Sequence, residues 1–330
     1  MTELLIPGVV SCIIAFFAVY LMTPPLIKYL HKKNLVVRDI HKKGEIMVVR
    51  PGGPAIIVGI IASEIVLYAF FQINEILAIM ITSFLAFLVG YVDDRKVMGG
   101  WFKPIGLAIA ALPIILLGAY GTDLAFPLFG EVQIPILYLA IIIFMIVITG
   151  NTVNSIDVAN GIASGFMVIA SFSLSIALLI LQNYEIAIAS LPLGFVSLAF
   201  YKYHKIPSKI FPGDSGALTL GAMYGSIAIV GQVEVIAAVA LLPAILNSFL
   251  FLASVKKIVD HRELNEKPVE LTDEFKLKAT KNKRARISLV RLIVANKPLS
   301  EKEVAMVIFK LTLFSAFLAI ITAFLMEIKL

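Results

Sequence analysis

Three short polar stretches interrupt a 330-residue chain that is 60% hydrophobic, and each carries oxygen donors. "GYVDDRK" pairs Asp93 with Asp94, "GNTVNSIDVANG" carries Asn151, Asn154 and Asp157, and "FPGDSGALTLG" carries Asp214 between two glycines. Carboxylate and amide oxygens are hard donors and no cysteine lies in these stretches, so the set favours Mg2+ or Mn2+ over zinc. Mg2+ commonly takes one or two carboxylates together with substrate phosphates, which points to phosphate chemistry. The turn at Asp214 leads into a helix whose free N–H groups and positive dipole end suit an anion. Lys42, Lys43, Lys103, His261 and Arg262 stand in neighbouring polar segments as phosphate partners.

Those residues need elements that bring them to one depth. With 15% charged residues and a mean hydropathy of +0.96, the composition excludes an ordinary soluble globule and reads as an all-α polytopic membrane protein. Runs able to cross a core of ~30 Å at ~1.5 Å per residue lie near 5–27, 54–72, 75–92, 104–120, 135–151, 161–181, 184–200, 215–231, 233–255 and 304–326, ten in all. The first run has neither a basic leader nor a small-residue cleavage site and reads as a retained helix. If the amino terminus faces outward, the inner loops hold 26 of the 28 Lys and Arg, which sets the orientation, with both termini outside. All three polar stretches then meet at the inner, cytoplasmic boundary. A carboxylate in hydrocarbon costs at least ~2.5 kcal/mol, so acids gathered at one depth call for a cation or a polar pocket.

Helical geometry adds a constraint. At ~100° per residue Asp93 and Asp94 cannot aim at one atom, so one faces reacting phosphates and the other orients a ligand, a water or a Lys. Asn151, Asn154 and Asp157 sweep ~120° of one side and can line a single groove. Glu64 lies alone near the middle of the second run, and a neutral or hydrogen-bonded structural role suits it. The segment "TDLAFPLFGEVQIP" reads as a small outer hairpin or turn. In loop 256–303, "PVELTDEFKLKA" suggests a polar hairpin and "ISLVRLIVA" an amphipathic helix at the headgroup level, where basic residues meet anionic lipid. No repeat or linker divides the chain, so residues 1–330 read as one integral membrane domain, with loop 256–303 as a substrate-binding and membrane-surface subregion. The net charge of +6 is distributed for topology, so no nucleic-acid partner is expected. A transporter is the rival class, but transporters place ionisable groups at the midplane, often within repeats, and here only Glu64 is central.

The three ordered motifs resemble those of the polyprenyl-phosphate N-acetylhexosamine-1-phosphate transferase family, as does "VRDIHKKGEIMVVRPGGPAI", which is similar to the family's first inner loop. The resemblance implies that a polyprenyl phosphate attacks the sugar-linked phosphorus of a UDP-HexNAc, releasing UMP. It makes Asp214 and Asp94 Mg2+ ligands and Asp93 and Asp94 the catalytic acidic pair. It makes Lys42, Lys103, Asn151, Asn154, Asp157, His261 and Arg262 substrate-binding residues. Asn160 replaces a second Asp of the central motif, and "VDHRELNE" stands where the peptidoglycan enzymes carry three His. Those departures favour GlcNAc-1-phosphate and a dolichyl-phosphate acceptor of the archaeal type over the larger cell-wall precursor. The resemblance implies a multi-pass protein of a prokaryotic plasma membrane, and it leaves a homodimer open.

Overall fold

In lipid every backbone N–H and C=O must be satisfied within its own segment, so apolar runs of this length fold as helices. The computed structural model describes residues 2–40, 42, 44, 46–96, 98–257 and 266–328, with side chains from Leu5 onward. The helices are α1 (Thr2–Lys32), α2 (Gly53–Phe71), α3 (Asn74–Arg95), α4 (Phe102–Ala110), α5 (Leu112–Leu116), α6 (Pro135–Ile156), α7 (Ile162–Ile180), α8 (Tyr184–His204), α9 (Gly213–Val230), α10 (Glu234–Ala240), α11 (Leu242–Val255), α12 (Leu289–Ile293) and α13 (Glu301–Glu327). The protein is an all-α, multi-pass integral membrane protein.

Among the described residues seven helices are long and apolar enough to cross a bilayer, or eight if α10 and α11 form one bent span. The expected ten is thus not reached by length and composition, for two local reasons. The run at 104–120 yields only Phe102–Leu116, broken at Ala111 ahead of Pro113, whose ring removes an N–H and crowds the preceding turn. The run at 215–231 is α9, in which Asp214 and four glycines dilute the apolar content. Every residue of α9 is buried, so it is the central helix of the bundle and its partners are other helices. Pro243 marks the 77° bend between α10 and α11 in the same way.

Three two-stranded antiparallel hairpins complete the chain. Strands β1 (Val36–Arg38) and β2 (Met47–Val49) pair Val36 with Val49. The end of β2 then zips onto the segment before α9, where Phe211 N–H donates to Val49 O at 3.0 Å and Gly52 N–H donates to Phe211 O at 2.8 Å. That zipper sets Arg50 beside the amino terminus of α9. The hairpin suggested at "TDLAFPLFGEVQIP" forms as β3 (Asp123–Phe126) and β4 (Gly130–Gln133), and its Leu128 N–H donates to Leu325 O near the end of α13. The hairpin of loop 256–303 is β5 (Val269–Leu271) and β6 (Leu277–Ala279), and the helix expected at "ISLVRLIVA" is the single-turn α12.

Candidate active site

Close approach of α3 to α9 builds the site. Gly90 of α3 leaves no room for a side chain, since a Cβ there would stand 2.4 Å from Ser215 Cα. Four residues later, about one turn, Asp94 reaches the start of α9. Its Oδ1 accepts the Asp214 N–H at 3.0 Å, and its Oδ2 accepts the Ser215 N–H at 2.9 Å and the Ser215 hydroxyl at 2.6 Å. Gly213 makes the turn with φ of +73°, a conformation that L side chains rarely adopt, and a Cβ there would meet the Asp94 carboxylate. The N–H groups expected to greet an anion are therefore already taken by Asp94.

Cationic side chains converge on Asp214 instead. Arg50 Nη2 donates to Asp214 Oδ2 at 2.5 Å and to Asp94 Oδ1 at 2.8 Å, and Arg50 Nε reaches the same Asp94 oxygen at 3.1 Å. Lys103, at the start of α4 and only 8% exposed, donates to Asp214 Oδ1 at 2.7 Å and pairs with Asp93 Oδ2 at 3.2 Å. Asn154 Nδ2 donates to Asp214 Oδ1 at 3.0 Å. Asp93 Oδ1 also accepts the Met98 N–H at 3.0 Å, which ties the α3–α4 connection to the same carboxylate. The two acids thus diverge, Asp94 toward α9 and Asp93 toward Lys103. Buried charges persist only when paired and hydrogen-bonded, and these five interlock.

Beside this cluster a cavity of about 260 Å3 is lined by Asp39, Arg50, Asn154, Asp157, Asn160, Phe211 and Asp214, among others. Asp157 ends α6, and its Oδ1 lies 3.7 Å from His204 Nε2, while His204 Nδ1 shares a 2.9 Å hydrogen bond with the Ser164 hydroxyl. Burial pushes the Asp157 carboxyl up to about 7; the Ala163 N–H and the Arg50 charge pull against that shift, and the Asp214 charge adds to it.

Of the residues singled out in the sequence, Asp93, Asp94, Lys103, Asn154 and Asp214 meet in one network, and Asp157 opens onto the adjoining cavity. Asn151 is not part of this network: its amide donates to Val147 O of its own helix at 2.8 Å, and of the three motif residues Asn154 and Asp157 line the cavity. Lys42 turns elsewhere and pairs with Glu301 at 2.6 Å. His261, Arg262 and Lys43 lie outside the described residues. Glu64 is fully buried in α2, and among the described residues neither of its oxygens has a hydrogen-bond partner. Arg50 joins the network without a chemical motif of its own in the basic "VVRPGGP" stretch; its role comes from the β2 zipper. His204 and Glu301 carry no local motif, and Asp39 stands within "VRDIHKKGEIMVVRPGGPAI" with nothing local to single it out.

The donor set suits a hard divalent cation. Asp93, Asp94 and Asp214 against Arg50 and Lys103 leave these five side chains with one net negative charge. Among the described residues no group of three or more His, Cys, Asp or Glu forms an all-protein cage. Mg2+ needs none, because it is usually held by one or two carboxylates with substrate phosphates and water.

A profile described as glycosyl transferase family 4 matches residues 76–232, which span α3 to α9 and hold all three motifs. A candidate UDP-N-acetylglucosamine–dolichyl-phosphate N-acetylglucosaminephosphotransferase of Saccharolobus solfataricus is 30% identical over 277 residues, 79% of this chain and 85% of that one. The chain belongs to the polyprenyl-phosphate N-acetylhexosamine-1-phosphate transferase family. Enzymes of this transferase family move a sugar phosphate onto a polyprenyl phosphate. A phospho-N-acetylmuramoyl-pentapeptide-transferase of Thermodesulfovibrio yellowstonii is also 30% identical, over 68% of this transferase and 72% of its own length. A candidate glycosyltransferase of Methanocaldococcus jannaschii is 29% identical over 92% of this transferase and 93% of its own.

Proposed function

We propose that this protein transfers GlcNAc-1-phosphate from UDP-GlcNAc to a polyprenyl phosphate of the dolichyl type, releasing UMP, as an early membrane step of glycan assembly. The observation that carries the reading is the convergence of Arg50, Lys103 and Asn154 on Asp214 at the start of α9, beside a cavity. An oxygen of the lipid phosphate forms a bond to the sugar-linked phosphorus while the bond from that phosphorus to the UMP oxygen breaks. A phosphate monoester has a second pKa near ~6, so the nucleophile is already largely dianionic at neutral pH and needs no strong base. Asp93 and Asp94 accordingly serve as positioners. Asp93 holds Lys103, and Asp94 holds the amides that set Asp214.

The larger barrier is the approach of two anions, which positioning and electrostatics lower in phosphoryl transfer. Arg50 and Lys103 are the cations at hand to receive the diphosphate. Mg2+ held by Asp214, with Mn2+ as a substitute, would add Lewis-acid neutralisation of that diphosphate. Asp94 remains a proposed second metal ligand beside Asp214, with its oxygens held in this arrangement by the α9 amides and Arg50. Lys42, His261 and Arg262 remain proposed substrate contacts.

Ten membrane crossings with both termini outside and the site on the cytoplasmic face complete the reading, supported by the Lys and Arg distribution. The chain then acts as one transferase domain, with 256–303 at the membrane surface. GlcNAc is favoured over the pentapeptide precursor by "VDHRELNE", although a relative of each kind matches at 30% identity. The deciding assay gives purified protein polyprenyl phosphate, Mg2+ and either labelled UDP-GlcNAc or the UDP-MurNAc-pentapeptide, scored for UMP and labelled lipid. Labelled lipid from UDP-GlcNAc is expected, with Asp214→Asn reducing turnover at least 100-fold. Turnover with only the pentapeptide donor, or near-normal Asp214→Asn turnover, would overturn the assignment.

A further inference from the structure

We infer that Asp39 and Glu301 are positioning residues for the nucleotide end of the cavity and act through Asn160; the inference rests on the proposed transferase reading. Asp39 follows β1 and is 2% exposed, Asn160 lies in the α6–α7 connection and is 3% exposed, and Glu301 opens α13. Three segments far apart in sequence meet there. Asn160 Nδ2 donates to Asp39 Oδ2 at 2.8 Å, the Asn160 N–H donates to Glu301 Oε1 at 2.9 Å, and Lys42 Nζ donates to Glu301 Oε2 at 2.6 Å. None of these four groups contacts the Asp214 cluster in those hydrogen bonds, yet Asp39 and Asn160 line the same cavity as Asp214 and Phe211.

An ionised carboxylate only accepts hydrogen bonds, so Asp39 can take only the N–H end of the Asn160 amide. The amide is thereby oriented, and Oδ1 is its remaining acceptor for an N–H or O–H of a ligand in the cavity that Asn160 lines. Phe211 lines the same cavity and supplies an aromatic ring there. Glu301 holds the backbone of the same residue and so sets where that acceptor stands. A carboxylate at position 160 would offer Asp39 no donor and would place a third acid beside Asp39 and Glu301. The side chain at 160 is therefore neutral because the acid of this wall is carried by Asp39.

The pairing predicts a reciprocal swap. Detergent-purified full-length protein is titrated calorimetrically with UDP, and the same samples are assayed for transfer from UDP-GlcNAc. Asn160→Asp weakens UDP at least tenfold, Asp39→Asn and Glu301→Ala weaken it about fivefold, and the Asp39→Asn/Asn160→Asp double variant returns to within threefold of the native protein. In transfer, the single variants raise KM with kcat changed less than threefold, because the Asp214 cluster is untouched. A purely structural hydrogen bond would also be restored by the exchange, so the discriminating readout is the single variants' rise in KM at near-native kcat and melting temperature. A structural role would instead lower the melting temperature and the active fraction, and with it kcat.

A double variant less than threefold better than Asn160→Asp, Asn160→Asp binding within threefold of native, or native protein that does not bind UDP overturns the inference. Glu301→Ala binding within threefold removes Glu301 from it. If Asn160→Asp is not recovered as folded protein, the double variant decides, supporting the pairing if recovered with near-native affinity and overturning it otherwise. Native protein that binds UDP but transfers nothing sinks the proposed function, while the affinity series still judges the pair.

Discussion

Asp94 spends both carboxylate oxygens on the first amides and hydroxyl of α9 and on Arg50, whereas Asp93, one residue earlier, serves Lys103 and the Met98 N–H. Adjacent residues on a helix point ~100° apart, and the partners on each side differ accordingly. Asp157 titrates in its own way. Its ordinary value of 3.8 is raised by burial to about 7. Below the ordinary value the folded and unfolded chains both hold the proton and nothing is lost. Between the two values only the folded protein holds it, and above about 7 the folded protein must keep a buried charge, so stability falls as pH rises through this window. Native protein is expected to melt at progressively lower temperature than Asp157→Asn between pH 4 and 7, with the gap constant above pH 8. A gap that does not change with pH would show that Asp157 titrates at its ordinary value.

At the scale of elements the site depends on how closely α3 lies on α9. A methyl at Gly90 would enter the backbone of Ser215, and overpacking of this kind costs ~1–3 kcal/mol. Because Asp94 is one turn further along, the same displacement moves the carboxylate that holds Asp214. Gly90→Ala is expected to lower the melting temperature by several degrees and kcat by at least tenfold. Unchanged turnover would mean that α3 can shift without moving Asp94. Helix breaks follow the same local logic: Pro113 and Pro243 interrupt apolar runs that composition alone presents as continuous.

For the whole molecule the question is which helices cross. Phe102–Leu116 spans only ~22 Å at ~1.5 Å per residue, short of a ~30 Å core. Lys103 at its start nevertheless touches Asp214, while the β3–β4 hairpin beyond it reaches Leu325, at the opposite end of α13 from Glu301. The chain therefore runs from one end of the bundle to the other over this stretch. A single cysteine at Leu128 in a Cys12→Ser background is expected to react with an impermeant maleimide from outside intact cells, and one at Lys283 only after permeabilisation. The reverse pattern would invert the proposed orientation.

The sequence by itself determined that the chain is helical and membrane-embedded and which residues are the hard oxygen donors, and it suggested a hairpin or turn after Gly121 and a polar hairpin in 256–303. Hydropathy and turn chemistry act over a few residues, so they are readable without partners. Only the tertiary structure decided which of those polar residues meet. Asn151 and Asn154 look equivalent in the motif, yet one bonds back to its own helix and the other reaches Asp214 across 60 positions. Arg50, Asp39 and Glu301 gain their places from the β2 zipper, the α6–α7 connection and the start of α13, contacts between segments up to 259 residues apart. A buried polar group must find partners wherever the packing supplies them, and that supply is a property of the folded bundle.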